Sequence, residues 1–379
     1  MTTTISTPTL KRALKHVKRI VPTTKAAQSA GAHLTVLTLT PEGLRISGTN
    51  SDLHFETTLE AHSDNNETTR VAVNPRTLDK IMSIIPGNNL TLTPTNDGLA
   101  LESENYRTTV DTRPPDDAPQ LSMPKGLPGV WNVTDFLQAI TTLQPAAATA
   151  EYQGVYRSLK LELDGHTRIV ATDGFRMAYM HYEHTTGLDG TANIPAKAAK
   201  TLGRILKQIE KRTDNDELRL GYNEQGDTLA IGVGDWTFGI KLIDGAWPDY
   251  ERVIPANCPV VIQIDATKLR DVIDRVAIMT DKKTNNRLDL EIDNGLLTVT
   301  ADTYQSSATE YMAVTHHKGE NAETQDELTV AMNAKYLQDA LAPITGDAIL
   351  KFSGFTSSCL ILDSKDATYV SLVVPLRTN

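Results

Sequence analysis

Two cysteines in 379 residues, Cys258 and Cys359, leave no material for a disulfide framework or a cysteine-built metal site. Aromatic residues make up only 5% of the chain, and none interleaves with its basic segments, which argues against base stacking along a single strand. No apolar run approaches the ~20 residues that a membrane helix needs. The opening MTTTISTPTLKRALK lacks the apolar core of a secretory leader, so no membrane association and a cytoplasmic location are expected. Phosphate loops are missing as well: there is no G-x-x-x-x-G-K-[ST], and GVGDW at Gly232 lacks the third glycine of a dinucleotide loop. No cofactor is expected. His181 and His184, three residues apart in a strand, would face opposite sides and make no metal pair. His316-His317 falls in a polar stretch and is expected to be solvated. Asp173 could act as a general base, but no nucleophile or second acid is placed beside it. Its simpler role is to orient a tight turn. The chain is not expected to be an enzyme.

What is present is a repeat. An amphipathic helix opens at Thr7, Val133 and Ala266, and each is followed by strands ending in a related tetrapeptide, SGTN, VATD and VTAD. A second helix then begins in VAVNPRTLDKIMSII, ANIPAKAAKTLGRILKQI and TVAMNAKYLQDALAPI. Aligning Thr49, Thr172 and Ala301 spaces the units by roughly 125 residues, the size of a domain. Between helices, Leu159, Leu161 and Leu163 alternate with polar residues, as do Leu288, Leu290 and Ile292. Asp164-Gly165, Asp173-Gly174 and Asn294-Gly295 supply turns. The fold class is therefore α+β: three tandem domains, each with helices packed on one face of antiparallel sheet, and two similar halves per unit. Proline-rich RPPDDAPQLSMPKGLPG and WPDYERVIPANCPV mark the boundaries, giving domains 1–122, 130–253 and 259–379. HHKGENAETQDE, His316 to Glu327, reads as a polar loop.

Charge is partitioned unevenly. The helix Leu10 to Val21 carries Lys11, Arg12, Lys15, Lys18 and Arg19 with no acid, off an apolar stripe of Leu10, Ala13, Leu14, Val17 and Val21. The helix Ala196 to Arg212 repeats this, with Lys197, Lys200, Arg204, Lys207, Lys211 and Arg212 against Glu210 alone, although the whole chain carries −10. Such faces suit a polyanion contacted through phosphates without sequence readout, because distant acids are screened beyond ~8 Å. A merely solvated helix face is the other reading. Asp135, Asp271, Asp274 and Asp339 weaken the pattern in the remaining helices.

The triple unit, LKLELDGHTRIVATDGFRMA, KLIDGAWPDYERVIP and the terminal VVPLR together closely resemble the bacterial sliding clamp family, the β subunit of DNA polymerase III, over nearly the whole chain. The resemblance implies a head-to-tail homodimeric ring of six similar domains around duplex DNA, with helices lining the hole and sheets outside. It implies processivity by tethering, with no chemistry. Implied partners are the DNA polymerase III alpha subunit, a clamp loader, and other clamp-binding proteins such as repair polymerases, ligase and mismatch repair factors. Matching motif positions gives a client-peptide pocket between the second and third units: Val155, Thr172, Gly174, Phe175, Arg176, Met177, Pro248, Val253, Val374, Pro375, Leu376 and Arg377. Phe175 stands where the family usually has histidine, Val374 and Leu376 where methionines are common, and Thr378-Asn379 extends past the usual end. On its own pattern VSLVVPL reads as a buried strand. The implied dimer contact sets Ile278, Met279 and Glu310 of the third unit against Arg76 and Arg107 of the first, although Ile278 and Met279 also read as helix core. Two rival functions are a repeat scaffold that binds protein partners without DNA, and a hydrolase using Asp173.

Overall fold

The computed structural model describes residues 2–64, 66–210, 216–318 and 327–377. Its helices are α1 (Thr7–Ile20), α2 (Lys25–Ser29), α3 (Pro75–Ile84), α4 (Val133–Leu143), α5 (Ala196–Glu210), α6 (Ala266–Val276) and α7 (Ala334–Leu341). None of the described helices is long and apolar enough to cross a membrane.

Helix α1 shows why these segments are helical. Pro8 sits in its first turn, where no N–H is needed, and Leu10, Ala13, Leu14, Val17 and Ile20 recur at helical spacing and are buried. Each of the larger side chains contributes roughly 2 kcal/mol on burial, so a charge at Leu14 would undo the packing. The helix ends at Val21, and the Arg76 guanidinium donates to the free carbonyls of Lys18 and Val21, each at 3.0 Å. Side-chain caps start α3, α6 and α7: Asn74 accepts from Arg76 N, Asp265 from Lys268 N and Asn333 from Tyr336 N.

Every repeat lays down two half-sheets. The first halves are Thr35–Thr40, Gly43–Thr49 and Leu53–Leu59; Ser158–Glu162, Thr167–Thr172 and Arg176–Tyr182; and Arg287–Asp293, Leu296–Asp302 and Ser307–Ala313. The second halves end in Tyr106–Val110, Trp236–Lys241 and Tyr369–Val373. Half-sheets of successive repeats then join. Trp236–Lys241 pairs with Leu53–Leu59 in an eight-stranded sheet, and Tyr369–Val373 pairs with Arg176–Tyr182 in a nine-stranded one. Two half-sheets stay open: the five-stranded sheet ends at Tyr106–Val110 and the four-stranded sheet at Ser307–Ala313, neither with a further strand among the described residues.

Because strands pair across repeats, the chain packs into two compact units rather than three. One comprises Met1–Gln138, Thr186–Leu188 and Lys197–Ile243, with the eight- and five-stranded sheets and α1, α2, α3 and α5. The other comprises Ala139–Thr185, Asp189–Ala196 and Asp244–Asn379, with the nine- and four-stranded sheets and α6 and α7. In the first, α1 lies so close to its sheet that a Cβ on Gly48 would fall 2.6 Å from Val17 and 2.8 Å from Val21, so only glycine fits. In the second, Asn294 (φ 47°) and Gly295 (φ 81°) form the expected left-handed hairpin turn.

Three expectations need correction. The alignment of Thr172 with Ala301 is one residue out. Equivalent turns close through Asn50 N to Leu53 O, Asp173 N to Arg176 O and Thr303 N to Ser306 O, which matches Ala171 to Ala301. A slip of one would have put the buried Leu297, Val299 and Ala301 on the wrong face. The His316 segment is not all loop, since Thr315–Lys318 is a strand paired with Val260–Asp265. Helix α1 opens at Thr7 as expected, but it ends at Ile20, so Val21 caps it from outside. Lys211, Arg212, Thr378, Asn379 and the rest of the predicted loop, 319–326, lie outside the described residues.

Candidate nucleic-acid face and peptide groove

In the first unit the buried stripes of α1 and α5 turn their bases outward. Lys11, Arg12, Lys15 and Arg19 on α1 and Lys197, Lys200, Arg204 and Lys207 on α5 are all exposed. Lys18 is the exception, bound to Asp79 of α3. Arg12 lies 6.0 Å over the Trp236 ring, whose edge also meets His16 at 5.1 Å. The two helices converge: Arg19, Arg204 and Lys207, with Thr201 and Gln208, line one hollow of about 640 Å³. No acid is among the described residues that line it. Such a surface can hold phosphate oxygens through point charges and forks.

In the second unit the ATDG turn is built as its sequence suggests. Asp173 Oδ1 accepts from Phe175 N at 2.9 Å and Arg176 N at 3.1 Å, and Thr172 Oγ1 donates to Arg176 O at 2.6 Å. Asp173 Oδ2 accepts from Arg176 Nε at 3.0 Å, which leaves the carboxylate employed in the turn. Arg176 itself is not a free rim residue. Its guanidinium also donates to Asp339 Oδ2 at 2.7 Å and to Pro145 O at 2.5 Å, and lies 4.3 Å over the Tyr336 ring. It ties the second repeat to the third.

Around that turn lies an apolar surface. Val170, Met177, Tyr250, Leu360, Val370 and Leu372 form a buried cluster, with Trp247, Ile254, Cys258 and Val374 partly covering it. Val155 closes on the backbone at Gly245. Phe175 and Val253 are 62% and 53% exposed, and Pro248 and Gly174 are also open to solvent. The C-terminal segment is zipped on by Val374 N donating to Phe175 O at 3.0 Å and Leu376 N to Ala331 O at 2.7 Å, leaving Arg377 exposed. Thus the strand Tyr369–Val373 is buried while Val374 and Leu376 are half-buried at its mouth. Of the predicted groove residues, Met177 and Val374 meet in this cluster and Phe175 is tied to Val374, while Thr172 and Arg176 are polar and hydrogen-bonded within the turn. Motif matching missed Tyr250, Leu360 and Leu372. Tyr250 is held by donating to Glu162 Oε2 at 2.7 Å and accepting from Arg168 at 3.2 Å, and burial raises its phenol pKa. The aromatic WPDY segment was the available signal.

The other predicted contacts are mixed. Ile278 and Met279 form a 3-10 turn after α6 and are 74% and 37% exposed, so they are not helix core. Glu310 is bound bidentately by Arg275 at 2.6 and 2.9 Å, Arg107 pairs with Glu102 at 3.0 Å, and Arg76 serves the end of α1. His184 lies beyond the strand that holds His181, and no group of metal-binding residues occurs among those described.

Comparison with known proteins identifies the family and the fold. Family models for the N-terminal, central and C-terminal domains of the DNA polymerase III beta subunit match residues 1–122, 132–249 and 251–377. The beta sliding clamp of Pseudomonas aeruginosa is 29% identical over 355 residues, covering 89% of this chain and 90% of its own length. That of Caulobacter vibrioides is 26% identical, covering 100% of both. The crystal structure of the DNA polymerase III subunit beta from Pseudomonas aeruginosa superposes with a TM-score of 0.87 at 25% identity, covering 100% of both chains. With all three domain models matched in order, the chain belongs to the DNA polymerase III beta subunit family and consists of three tandem clamp domains.

Proposed function

We propose that this protein is a DNA sliding clamp: it encircles duplex DNA, moves along it without reading sequence, and confers processivity on the replicative polymerase. The convergence of α1 and α5 bases on one hollow, with no acid among the described residues that line it, carries this reading. Phosphate contacts of this kind are nearly equivalent at every register, so a protein retained by topology slides freely. Tethering then raises the polymerase's effective concentration at the primer end. The chain is not an enzyme, and Asp173, with both oxygens bound in its turn, offers nothing to a hydrolase reading. The residues on the DNA face are Lys11, Arg12, Lys15, Arg19, Lys197, Lys200, Arg204 and Lys207. The domains are 1–122, 130–253 and 259–379.

Encirclement needs a second copy. Within the chain, the last strand of a second half-sheet pairs with the third strand of the preceding repeat's first half-sheet, and this happens twice. The open edges Tyr106–Val110 and Ser307–Ala313 are the same two kinds of strand, so two chains joined head to tail satisfy both edges twice and close. Exposed Ile278 and Met279 lie on the third-domain side of that seam. The apolar groove, with Phe175, Val253, Val374, Leu376 and Arg377 at its mouth, takes extended peptides of clients: the DNA polymerase III alpha subunit, the clamp loader, and repair polymerases, ligase and mismatch repair factors. The deciding experiment loads the protein on nicked circular DNA and then linearises the circle. A clamp runs off the ends; survival of the complex on free-ended DNA at moderate salt would count against encirclement. A DNA-independent scaffold would never be retained on the circle.

A further inference from the structure

The two seams inside the chain are built alike, and they fix a register for the third. In the first, Trp236 stands opposite Thr57 and Phe238 opposite Phe55; in the second, Tyr369 stands opposite Met180 and Ser371 opposite Ala178. Each final strand therefore opens with an aromatic residue facing one defined position of the neighbouring strand, and both aromatics are buried, at 7% and 4% exposure. The open edge strand also begins with an aromatic, Tyr106. It follows a two-residue turn from Ser103, just as Trp236 follows one from Val233. Tyr106 is only half-buried. The turn closures at Asn50, Asp173 and Thr303 make Thr57, Met180 and Glu310 equivalent, and likewise Phe55, Ala178 and Ala308.

We infer that the seam between two copies of this chain sets Tyr106 opposite the partner's Glu310 and Thr108 opposite its Ala308, with Arg275 of the partner capping the Tyr106 ring. This rests on the head-to-tail pair proposed above. The Arg275 position follows from the helices: Leu10, Ala13, Leu14 and Val17 of α1 correspond to Leu269, Val272, Ile273 and Val276 of α6, so Arg275 occupies the place of His16. His16 is the residue whose ring meets Trp236 at 5.1 Å. Arg275 and Glu310, already locked together on an open edge, form a receptor whose carboxylate accepts the phenol O–H and whose guanidinium lies against the ring. In this register Arg107 meets Thr309 on the opposite face, so Tyr106, not Arg107, is the partner of Glu310.

Cysteine pairing on the full chain tests the register. Thr108→Cys with Ala308→Cys, oxidised by glutathione disulfide, is expected to give a covalent dimer that reductant reverses, because directly opposed Cβ atoms lie about 4.5–5.5 Å apart. Thr108→Cys with Thr309→Cys, which would point to opposite faces, is expected to stay uncoupled. The reverse pattern, or equal coupling of both pairs, would overturn the register while leaving the dimer intact. A monomeric mass for the unmodified chain at every concentration would instead sink the dimer reading itself. For the receptor, Tyr106→Ala and Arg275→Ala should each weaken dimerisation at least tenfold by sedimentation, and the double variant should lose clearly less than the product of the two. Multiplicative losses would remove Arg275 from the seam.

Discussion

Helices α1 and α5 and helices α6 and α7 serve the same fold with opposite treatment of charge. On α1 and α5 all the described cations but Lys18 point to solvent without a carboxylate partner among the described residues. On α6 and α7, Arg275 is bound by Glu310, Lys335 by Asp339, and Arg270 donates to Ala342 O and Thr267. Packing depends on the apolar stripe, which both pairs keep. Charge lies on the face that packing leaves free, so the repeats could specialise there without cost to the fold. A cation already paired has little to offer a phosphate, which is why the proposed phosphate face is placed on the first unit.

The sharpest contrast is between two arginines. Arg176→Ala leaves Asp173, mostly buried, without its cation and Asp339 with Lys335 alone, and should destabilise the protein by about 3 kcal/mol. Arg204→Ala should change stability by less than about 0.5 kcal/mol. Thermal denaturation of both variants checks this, and similar losses would erase the distinction between stitching and phosphate-holding arginines.

A second contrast is in pH. His54, in the eight-stranded sheet of the first unit, is lowered by burial to a pKa of about 4. Its neutral form is favoured in the folded state, so the contribution is complete above pH 6.5 and is lost as pH falls from 6.5 toward 4. The loss should reach roughly 3 kcal/mol and then level off. Urea titrations across that range should show a decline that His54→Gln flattens.

Next comes DNA affinity. Replacing Lys200, Arg204 and Lys207 together by alanine should reduce the slope of log K against log salt by about 2.7, and weaken binding of unloaded protein by about tenfold or more near physiological salt. The smallest effect is expected from Lys268→Ala with Arg270→Ala on α6, below about twofold by the same fluorescence titration. A loss there equal to that on α5 would abolish the asymmetry between the units.

Much of this was legible in the sequence because it is local. Leu159, Leu161 and Leu163 alternate, Leu10, Leu14 and Val17 recur at helical spacing, and Asn294-Gly295 announces its turn. The basic faces were equally plain, since a side chain off the apolar stripe must meet solvent. What could not be read was pairing between distant strands. Nothing in the spelling of Trp236–Lys241 says that it lies beside Leu53–Leu59, and so the two-unit packing was hidden. The one-residue slip at Ala301 has the same origin, because similar tetrapeptides do not reveal which face a strand presents. The motif marks Arg176 as a groove residue but cannot name Asp339 and Pro145, its partners in the fold, which lie far away in sequence.

The open edges at Tyr106–Val110 and Ser307–Ala313 have a consequence that belongs to polymer chemistry. A chain with two complementary, unlike ends is a bifunctional monomer, and such monomers either cyclise or grow into fibres. Which occurs depends on whether the curvature accumulated along one chain brings its free end back to the partner's. Cyclisation at two subunits makes the second junction intramolecular, so it forms at a high local concentration and outcompetes chain growth. In the proposed ring, parting one junction would not dissociate the assembly: the opened form would remain a single two-chain body, hinged at the junction still closed, and could reclose behind whatever has entered.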